Sequence, residues 1–306
     1  MYLHEDKETF KDIVEQATDQ TGRAIAVVEK DYYVTLILRL LSMQLGNCVF
    51  KGGTSLSKGY HVINRFSEDI DITFDEHIGE AKRKKLKNNI LKGISEELGM
   101  PISNWEDTQS DRDYNAYLFS YDSVVGIEDD KILQNVKLET ALGSYAFPTD
   151  KVTIDNYIGN YFKSKGREDL TKKFLLDEFS MKLQSLERTY IDKIFALCDY
   201  YIQKRNKRCS RHLYDIYKLT PLIKFDDSFA KLYIEVREHR AKMTICPSAK
   251  PEENVANIIN EFCDNGFYEE DYHAITNYFA EDIVKYEDAI EQMRNLAKYT
   301  KYLSER

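Results

Sequence analysis

The chain changes its hydrophobic periodicity near residue 185, and this change constrains the fold more than any other feature. Up to that point helical patterns are mixed with strand patterns, which lie at 48–50, 69–75, 116–121, 132–142 and 180–185. Beyond it only helical patterns follow, at 187–204, 211–220, 227–241, 252–264, 269–282 and 285–300. We therefore predict an α+β domain with N-terminal helices over residues 1–185, followed by a helical domain over residues 186–306.

Composition and charge limit the class of protein. Of the 306 residues, 42% are hydrophobic and 31% are charged, which is typical of a folded chain with room for two domains. The net charge of −9 argues against a general nucleic-acid coat protein, although basic clusters lie at 82–87 and 204–211. The five cysteines are scattered without a C-x-x-C pair, so we expect reduced thiols. The first residues do not resemble an export signal, and no apolar stretch is long enough to span a bilayer. We therefore expect a cytoplasmic protein without membrane contact.

An acidic strand provides the first candidate site. Ile70, Ile72 and Phe74 alternate with acidic and polar residues, which is the period-two pattern of a strand with one apolar and one acidic face. Asp69 and Asp71 then project from the same face, about 7 Å apart. Two neighbouring carboxylates repel each other unless a cation lies between them, and Mg²⁺ typically binds through carboxylates together with substrate phosphates. We expect Mg²⁺ here, with Mn²⁺ as the alternative.

A glycine turn precedes this strand. Gly52 and Gly53 follow a short apolar strand and open a helix that runs towards Tyr60. Glycine lets the backbone approach a phosphate closely, and the first amides of a helix add an anion-binding site. A single Gly-Gly is most often a turn, and a single D-x-D is most often a solvated strand face. Their order on strand, turn, helix and strand favours a site that binds a phosphate and a metal together.

The two motifs together carry a resemblance to a known family. The segments are KGGTSLSKGY at 51–60 and RFSEDIDI at 65–72, with EKDYY at 29–33 and RHLYD at 211–215. They resemble the AbiEii/AbiGii-type nucleotidyltransferase toxins, a bacterial family of the DNA polymerase β superfamily that includes the MenT toxins. The resemblance extends over residues 25–220. Gly53-Thr54 stands where the superfamily often has Gly-Ser, a difference that keeps the hydroxyl.

The resemblance implies a polymerase β-like nucleotidyltransferase domain with a mixed sheet, and a reaction that moves a nucleoside monophosphate from an NTP to an acceptor. It also implies the toxin of a bacterial toxin–antitoxin (abortive infection) system, with tRNA or another RNA as acceptor and an antitoxin encoded nearby. One alternative is an enzyme of the same fold that modifies a protein or a small molecule. Another is a nucleotide-binding regulatory module without turnover, although a binding module has little use for two metal-binding aspartates.

Further site residues follow from the strand pattern and from the resemblance. Glu139 lies on one face of the 132–142 strand and is the candidate for a third metal ligand, the alternative being a solvated residue. In the family, a lysine that neutralises triphosphate charge corresponds to Lys193, and an aspartate that accompanies it corresponds to Asp215. From the helical pattern alone, Lys193 falls beside the buried stripe of its helix as a surface lysine would, and Asp215 falls on an edge.

We therefore predict three overlapping sets of site residues. The catalytic residues are Asp69, Asp71, Lys193 and Asp215. The metal ligands are Asp69, Asp71 and Glu139. The nucleotide-binding residues are Gly52, Gly53, Thr54, Ser67, Lys193 and Arg211.

Four polar residues need separate interpretations. Ser67 lies two residues before the first aspartate of the acidic pair and points to the same face. Arg211 either reaches a phosphate or pairs with Asp215 one helical turn later. His61 and His212 have no partner histidines at metal-ligand spacing, and we expect packing roles for both.

Overall fold

The structure divides into two compact units. It is a computed structural model that describes residues 1–126, 132–143, 146–276, 280 and 282–304. The first unit, termed the sheet unit, comprises Met1–Tyr60 and Ser67–Gln184. The second, termed the helical unit, comprises His61–Phe66 and Ser185–Arg306. The short segment His61–Phe66 belongs with the helices, although in sequence it lies between two parts of the sheet unit.

A six-stranded mixed sheet is the main feature of the sheet unit. Its strands are β1 (Cys48–Lys51), β2 (Ile70–Phe74), β3 (Tyr114–Ser120), β4 (Asn135–Ala141), β5 (Thr149–Ile154) and β6 (Phe179–Gln184). They lie in the order β3-β4-β2-β1-β6-β5. The pairs β2–β4 and β1–β6 are parallel, and the other three neighbouring pairs are antiparallel. Five of these strands correspond to predicted ones, whereas β5 is not among the predictions.

The register of the central strands brings three chain segments together. Lys51, the last residue of β1, pairs with Asp71 on β2. On its other side Asp71 pairs with Glu139 on β4. Residues at matched positions on neighbouring strands project to the same face of a sheet. Asp71 and Glu139 therefore lie side by side.

The helices of the sheet unit have ends that the local sequence determines. In the described part of the chain they are α1 (Lys7–Thr21), α2 (Ile25–Gln44), α3 (Gly52–Lys58), α4 (Glu80–Lys85), α5 (Lys92–Leu98), α6 (Tyr157–Ser164) and α7 (Glu168–Lys173). A π-helical segment, Leu86–Leu91, joins α4 to α5. The carboxylate of Asp6 accepts from the amide of Thr9 at the start of α1, and Gly22 ends this helix in the left-handed region, with φ +67°.

Helix α2 contributes much of the core of the sheet unit. Val28, Tyr32 and Leu36 recur at helical spacing and are at most 1% exposed. They belong to one apolar cluster with strand residues such as Phe50 and Ile72. Apolar burial contributes about 25 cal/mol per Å². The strands that carry the acidic residues are therefore held against α2 by a continuous core.

The helical unit agrees with the predicted helices to within a few residues. Its described helices are α8 (Leu186–Ile202), α9 (Arg211–Leu219), α10 (Asp227–Ala241), α11 (Val255–Asp264), α12 (Glu269–Asp271) and α13 (Tyr286–Ser304). A π-helical segment, Tyr272–Thr276, continues α12. The predicted helix over 269–282 thus begins as expected, and residues 277–279 and 281 within it lie outside the described residues.

Two charged residues of the helical unit are buried more deeply than helical periodicity predicts. Lys193 is 4% exposed, and Asp215 is fully buried. The prediction from periodicity that Lys193 lies beside the buried stripe and Asp215 on an edge is therefore wrong, as is the alternative of a surface lysine at 193. Periodicity places charged residues outside because burial of an unpaired charge is costly. Here each charge has an ionic partner, which offsets that cost.

The predicted α+β class is confirmed, because strands and helices share the sheet unit, whereas the described part of the helical unit has helices and no strand. Among the described residues, no helix combines the length and the apolar character that crossing a membrane requires.

Candidate functional site

Gly52 joins β1 to α3 at the point where the backbone passes Asp71. Its φ is +80°, in the left-handed region that glycine adopts without steric cost. A Cβ atom at this position would lie 2.1 Å from Oδ2 of Asp71. Two independent constraints therefore require glycine here. The turn packs directly against a carboxylate of the predicted metal site.

The start of α3 is tied to the loop before β2. Thr54 is 1% exposed, and its hydroxyl donates to Oγ of Ser67 at 2.9 Å. The hydroxyl of Ser55 donates to the carbonyl of Gly52, also at 2.9 Å. The structure thus brings together four of the predicted nucleotide-binding residues: Gly52, Gly53, Thr54 and Ser67.

The three predicted metal ligands form a group termed the acidic cluster. Asp69 lies immediately before β2, Asp71 lies within it, and Glu139 lies opposite Asp71 on β4. The carboxyl groups of Asp71 and Glu139 are close enough to affect each other's ionisation. Burial, more than any neighbour, raises the pKa of Asp71 to about 7. Lys51 opposes this shift, and the charges of Glu139 and Asp69 support it.

A lysine lies among these carboxylates. Nζ of Lys137 is 3.0 Å from Oδ2 of Asp69 and 2.8 Å from Oε1 of Glu139. Burial opposes the charged form of Lys137, but the two carboxylates outweigh it and raise its pKa. Burial likewise opposes ionisation of Glu139, yet Lys137 lowers the pKa of this carboxyl. Three ionised carboxylates outnumber the two ammonium groups that act on them, Lys137 and Lys51, so the acidic cluster keeps an excess of negative charge.

The donor set of the acidic cluster fits a hard divalent cation. All its ligating atoms would be carboxylate oxygens, which Mg²⁺ and Mn²⁺ prefer. In the described part of the chain, no group of three or more His, Cys, Asp or Glu side chains has the geometry of a preformed metal site. Lys137 gives a physical reason, because its ammonium lies between two of the carboxylates. A cation that binds among all three requires this ammonium to move.

A lysine on helix α2 contacts the two segments that lead into the strands carrying the acidic residues. Lys30 is 2% exposed, forms an ion pair with Glu68 and donates to the carbonyl of Leu133 at 2.9 Å. Glu68 directly precedes Asp69, and Leu133 lies two residues before β4. The ammonium of Lys30 therefore connects the segments that lead into both parallel strands.

The helical unit contains a second group of charges, termed the ion-pair cluster. Arg65 donates through Nε to Oδ1 and through Nη2 to Oδ2 of Asp215, at 2.7 Å each. Nζ of Lys193 donates to Oδ2 of Asp215, also at 2.7 Å. The predicted Lys193–Asp215 pair is present, and Arg65 is a further partner. All three side chains are at most 5% exposed.

Asp215 accepts hydrogen bonds from both cations of the ion-pair cluster. Burial opposes ionisation of Asp215, but the charges of Arg65 and Lys193 outweigh it and hold the pKa of Asp215 well below its usual range. One carboxylate is therefore shared by two cations.

His212 and Arg211 lie at the start of α9 in the same unit. Nδ1 of His212 is 3.4 Å from Nζ of Lys193, and its ring stacks on Tyr200 with centroids 5.8 Å apart. Burial, aided by the charge of Lys193, lowers the pKa of His212 well below its ordinary value, so the ring is neutral at pH 7. These contacts agree with a packing role. Nε of Arg211 donates to the carbonyl of Arg208 at 3.4 Å, and its role in phosphate binding stays a prediction.

Sequence reasoning missed three charged residues: Lys30 and Lys137 in the sheet unit, and Arg65 in the helical unit. Lys30 and Arg65 lie inside segments that carry the family resemblance, so a signal existed, but their ionic partners are far away in sequence. Lys137 shares a strand face with Glu139, two residues later. That spacing alone could have placed an ammonium beside the third carboxylate.

Comparison with known proteins assigns the chain to a family. The model of the family described as "Nucleotidyl transferase AbiEii toxin, Type IV TA system" matches residues 39–295. Among solved structures, MenT4, a nucleotidyltransferase toxin from Mycobacterium tuberculosis H37Rv, is similar at 14% sequence identity and a TM-score of 0.48, with 94% of this chain and 88% of that chain covered. Among curated proteins, no sequence matches. Because the family model spans well over half of the chain, this protein belongs to the AbiEii nucleotidyltransferase toxins of type IV toxin–antitoxin systems, enzymes that use a nucleoside triphosphate and are paired with an antitoxin.

Proposed function

We propose that the chain is a Mg²⁺-dependent enzyme that transfers a nucleoside monophosphate from an NTP to the 3′ end of tRNA. The observation that carries this proposal is the acidic cluster, three carboxylates beside a glycine turn. The 3′-hydroxyl oxygen of the RNA forms a bond to the α-phosphorus, and the bond from the α-phosphorus to the bridging oxygen breaks. The hydroxyl loses its proton, and pyrophosphate leaves.

Asp69, Asp71 and Glu139 would hold the metal ion. When bound, Mg²⁺ neutralises phosphate charge and favours ionisation of the attacking hydroxyl. Without a cation, the excess negative charge of these carboxylates repels an approaching triphosphate. Dependence on a divalent cation is therefore expected from the charge of the cluster itself.

The triphosphate needs cationic and hydrogen-bonding partners from this chain. The residues proposed to bind it are Gly52, Gly53, Thr54, Ser67, Lys193 and Arg211. Asp215 positions the ammonium of Lys193, and Arg65 donates to the same carboxylate. In this proposal the helical domain, residues 186–306, contributes Lys193 and Asp215 to catalysis.

An RNA acceptor is supported by one of the two basic clusters. In the cluster at 82–87, three consecutive basic residues form ion pairs with carboxylates: Lys82, Arg83 and Lys84. In the cluster at 204–211, residues 204–208 are exposed, and the guanidinium of Arg205 lies 5.0 Å from the ring centroid of Tyr200. Exposed cations beside an aromatic ring suit contacts with RNA phosphates and bases. The second cluster is therefore the better candidate for RNA binding.

Transfer assays with labelled nucleotides test the proposal. The purified protein is incubated with each NTP, radiolabelled at the α-phosphate, together with Mg²⁺ and total tRNA, and the products are separated into RNA, protein and small molecules. Label at the 3′ end of tRNA is the expected result. Label in the protein or small-molecule fraction would favour the alternative acceptor, and no transfer in any fraction would refute the proposal.

A pair of variants links the transfer to the acidic cluster. Asp69→Ala is expected to abolish transfer while the circular dichroism spectrum stays unchanged. Asp75→Ala is the matched control, because Asp75 directly follows β2 and forms an ion pair with Lys182 outside the acidic cluster. Chelation of divalent cations should abolish transfer by the wild type, and added Mg²⁺ should restore it. If Asp69→Ala stays active, the assignment of the metal site is wrong.

A further inference from the structure

A cavity of about 570 Å³ lies in the sheet unit, and none of the predicted site residues lines it. Its walls come from the N-terminal segment, from α2, from the end of α5 and from the end of β3. A volume of several hundred Å³ is typical of sites that bind small organic ligands. The cavity is therefore a candidate for a second binding site, separate in its residues from the acidic cluster.

Two buried tyrosines that line the cavity lack hydrogen-bond partners. Tyr33 is 3% exposed and Tyr121 is 8% exposed, and their rings stack with centroids 4.2 Å apart. Within the described residues, neither hydroxyl makes a hydrogen bond. The hydroxyl of the neighbouring Tyr32, by contrast, bonds Nδ1 of His4 at 2.8 Å. Both tyrosines line the cavity, so a ligand there can supply a hydrogen-bond partner to each hydroxyl.

The rim of the cavity is acidic. Four carboxylates line it, from Glu5, Glu96, Glu97 and Asp122. The ammonium of Lys7 is the opposing charge among the lining residues, and it already pairs with Asp122 at 3.2 Å. His4 adds no charge at neutral pH, because burial lowers its pKa. The excess negative charge attracts cations and disfavours phosphates, so the cavity is not suited to a second nucleotide.

Apolar side chains complete the lining of the cavity: Leu98, Met100, Pro101 and Val124. Hydroxyl acceptors, several carboxylates and apolar surface are thus found in one cavity. A flexible chain of methylene groups that carries two or more ammonium groups presents the complementary features. Its N–H groups are donors, its charges match the rim, and its methylene groups can lie against apolar side chains.

We propose that this cavity binds a linear polyamine. One ammonium group donates to the hydroxyls of Tyr33 and Tyr121, and the others pair with the rim carboxylates. The aromatic rings of the tyrosine pair add a cation–π attraction. The proposal does not depend on the nucleotidyl-transfer proposal, because no residue of the acidic cluster or of the ion-pair cluster lines the cavity.

Isothermal titration calorimetry with spermidine tests this site in the full-length chain. Wild type is expected to bind at concentrations of about 1 mM or below. The double variant Tyr33→Phe with Tyr121→Phe keeps both rings and removes only the unpaired hydroxyls, so its fold is expected to persist. We expect it to bind spermidine about tenfold more weakly, because two hydrogen bonds donated by an ammonium group are lost. Glu5→Gln should weaken binding severalfold.

Controls separate this site from general attraction between spermidine and an acidic protein. Asp12→Asn removes an exposed carboxylate of α1 that does not line the cavity, and it should leave the affinity unchanged. Equal affinity in the double tyrosine variant, or no heat of binding at about 10 mM spermidine, would overturn the proposal. A short arginine peptide that binds more tightly than spermidine in a tyrosine-dependent way would assign the cavity to a basic protein segment instead and would also overturn it.

Discussion

The acidic cluster and the ion-pair cluster are built from the same kinds of residue in opposite proportions. In the acidic cluster the ammonium of Lys137 pairs with two of the three carboxylates, Asp69 and Glu139, which are 26% and 22% exposed. In the ion-pair cluster one fully buried carboxylate, Asp215, is shared by two cations. The first cluster contains repulsion that a cation would relieve. In the second cluster, the attraction between opposite charges offsets the cost of burying them. The two clusters should therefore respond to mutation in different ways.

The largest expected effect on stability follows from burial. Asp215→Asn leaves the charges of Arg65 and Lys193 buried without their shared carboxylate, and we expect it to lower the free energy of unfolding by about 3–5 kcal/mol. Asp69→Asn removes a partly exposed charge from a repulsive group, and we expect a change within about 1 kcal/mol. Urea denaturation of both variants and the wild type measures the difference. Similar losses in the two variants would break the contrast between the clusters.

The largest expected effect on activity within the helical unit is that of Lys193. Lys193→Met should lower nucleotidyl transfer by about 10²-fold to 10³-fold, because an ammonium that stabilises phosphate charge is lost. Lys193→Arg keeps the charge and should recover part of the rate. Lys218→Met is the matched control, since Lys218 lies on α9 and pairs with Asp282 outside the ion-pair cluster. Full activity of Lys193→Met would limit this lysine to a structural role.

The elements that sequence patterns predicted are those whose determinants are local. Alternation identified β2 and a glycine after an apolar run identified the turn at Gly52, and both are in place. β5 was not predicted, because four of its six residues are polar or charged and most of them are partly or fully exposed. A strand in which polar residues dominate lacks the period-two apolar signal. Its position in the sheet comes from antiparallel pairing with β6, which periodicity does not reveal.

The partners of charged residues were the least predictable part of the candidate site. Arg65 and Asp215 are 150 residues apart, and no local pattern connects them. Periodicity predicts that charged residues face solvent, which is wrong for Lys193 and Asp215 because they are paired. The family resemblance supplied both residues but not Arg65. Ion pairs between segments that are distant in sequence were therefore found only in the structure, whereas the acidic strand could be predicted from the sequence.

Lys137 provides a test of the acidic cluster that does not depend on activity. Its ammonium competes with a divalent cation for Asp69 and Glu139, so Lys137→Met should bind Mn²⁺ about fivefold more tightly than the wild type. Calorimetric titration with Mn²⁺ measures this affinity. Lys82→Met, which removes an exposed lysine paired with Glu76, is the control and should not change it. Weaker binding by Lys137→Met would show that the lysine holds the carboxylates in place for the metal.

The smallest expected effect is the response of the ion-pair cluster to acid. The pKa of Asp215 is lower in the folded than in the unfolded chain, so its contribution to stability is complete above about pH 4 and is lost as the pH falls towards the folded value.

We expect the difference in unfolding free energy between the wild type and Asp215→Asn to be about 1 kcal/mol smaller at pH 3 than at pH 7. Urea denaturation of both proteins at the two pH values measures it. The difference shrinks because acid neutralises this aspartate in the unfolded wild type but not in the folded one, whereas asparagine does not titrate. A difference that stays constant or grows in acid would mean that Asp215 is not held as an anion, and the two cations of the ion-pair cluster would then need another counter-charge.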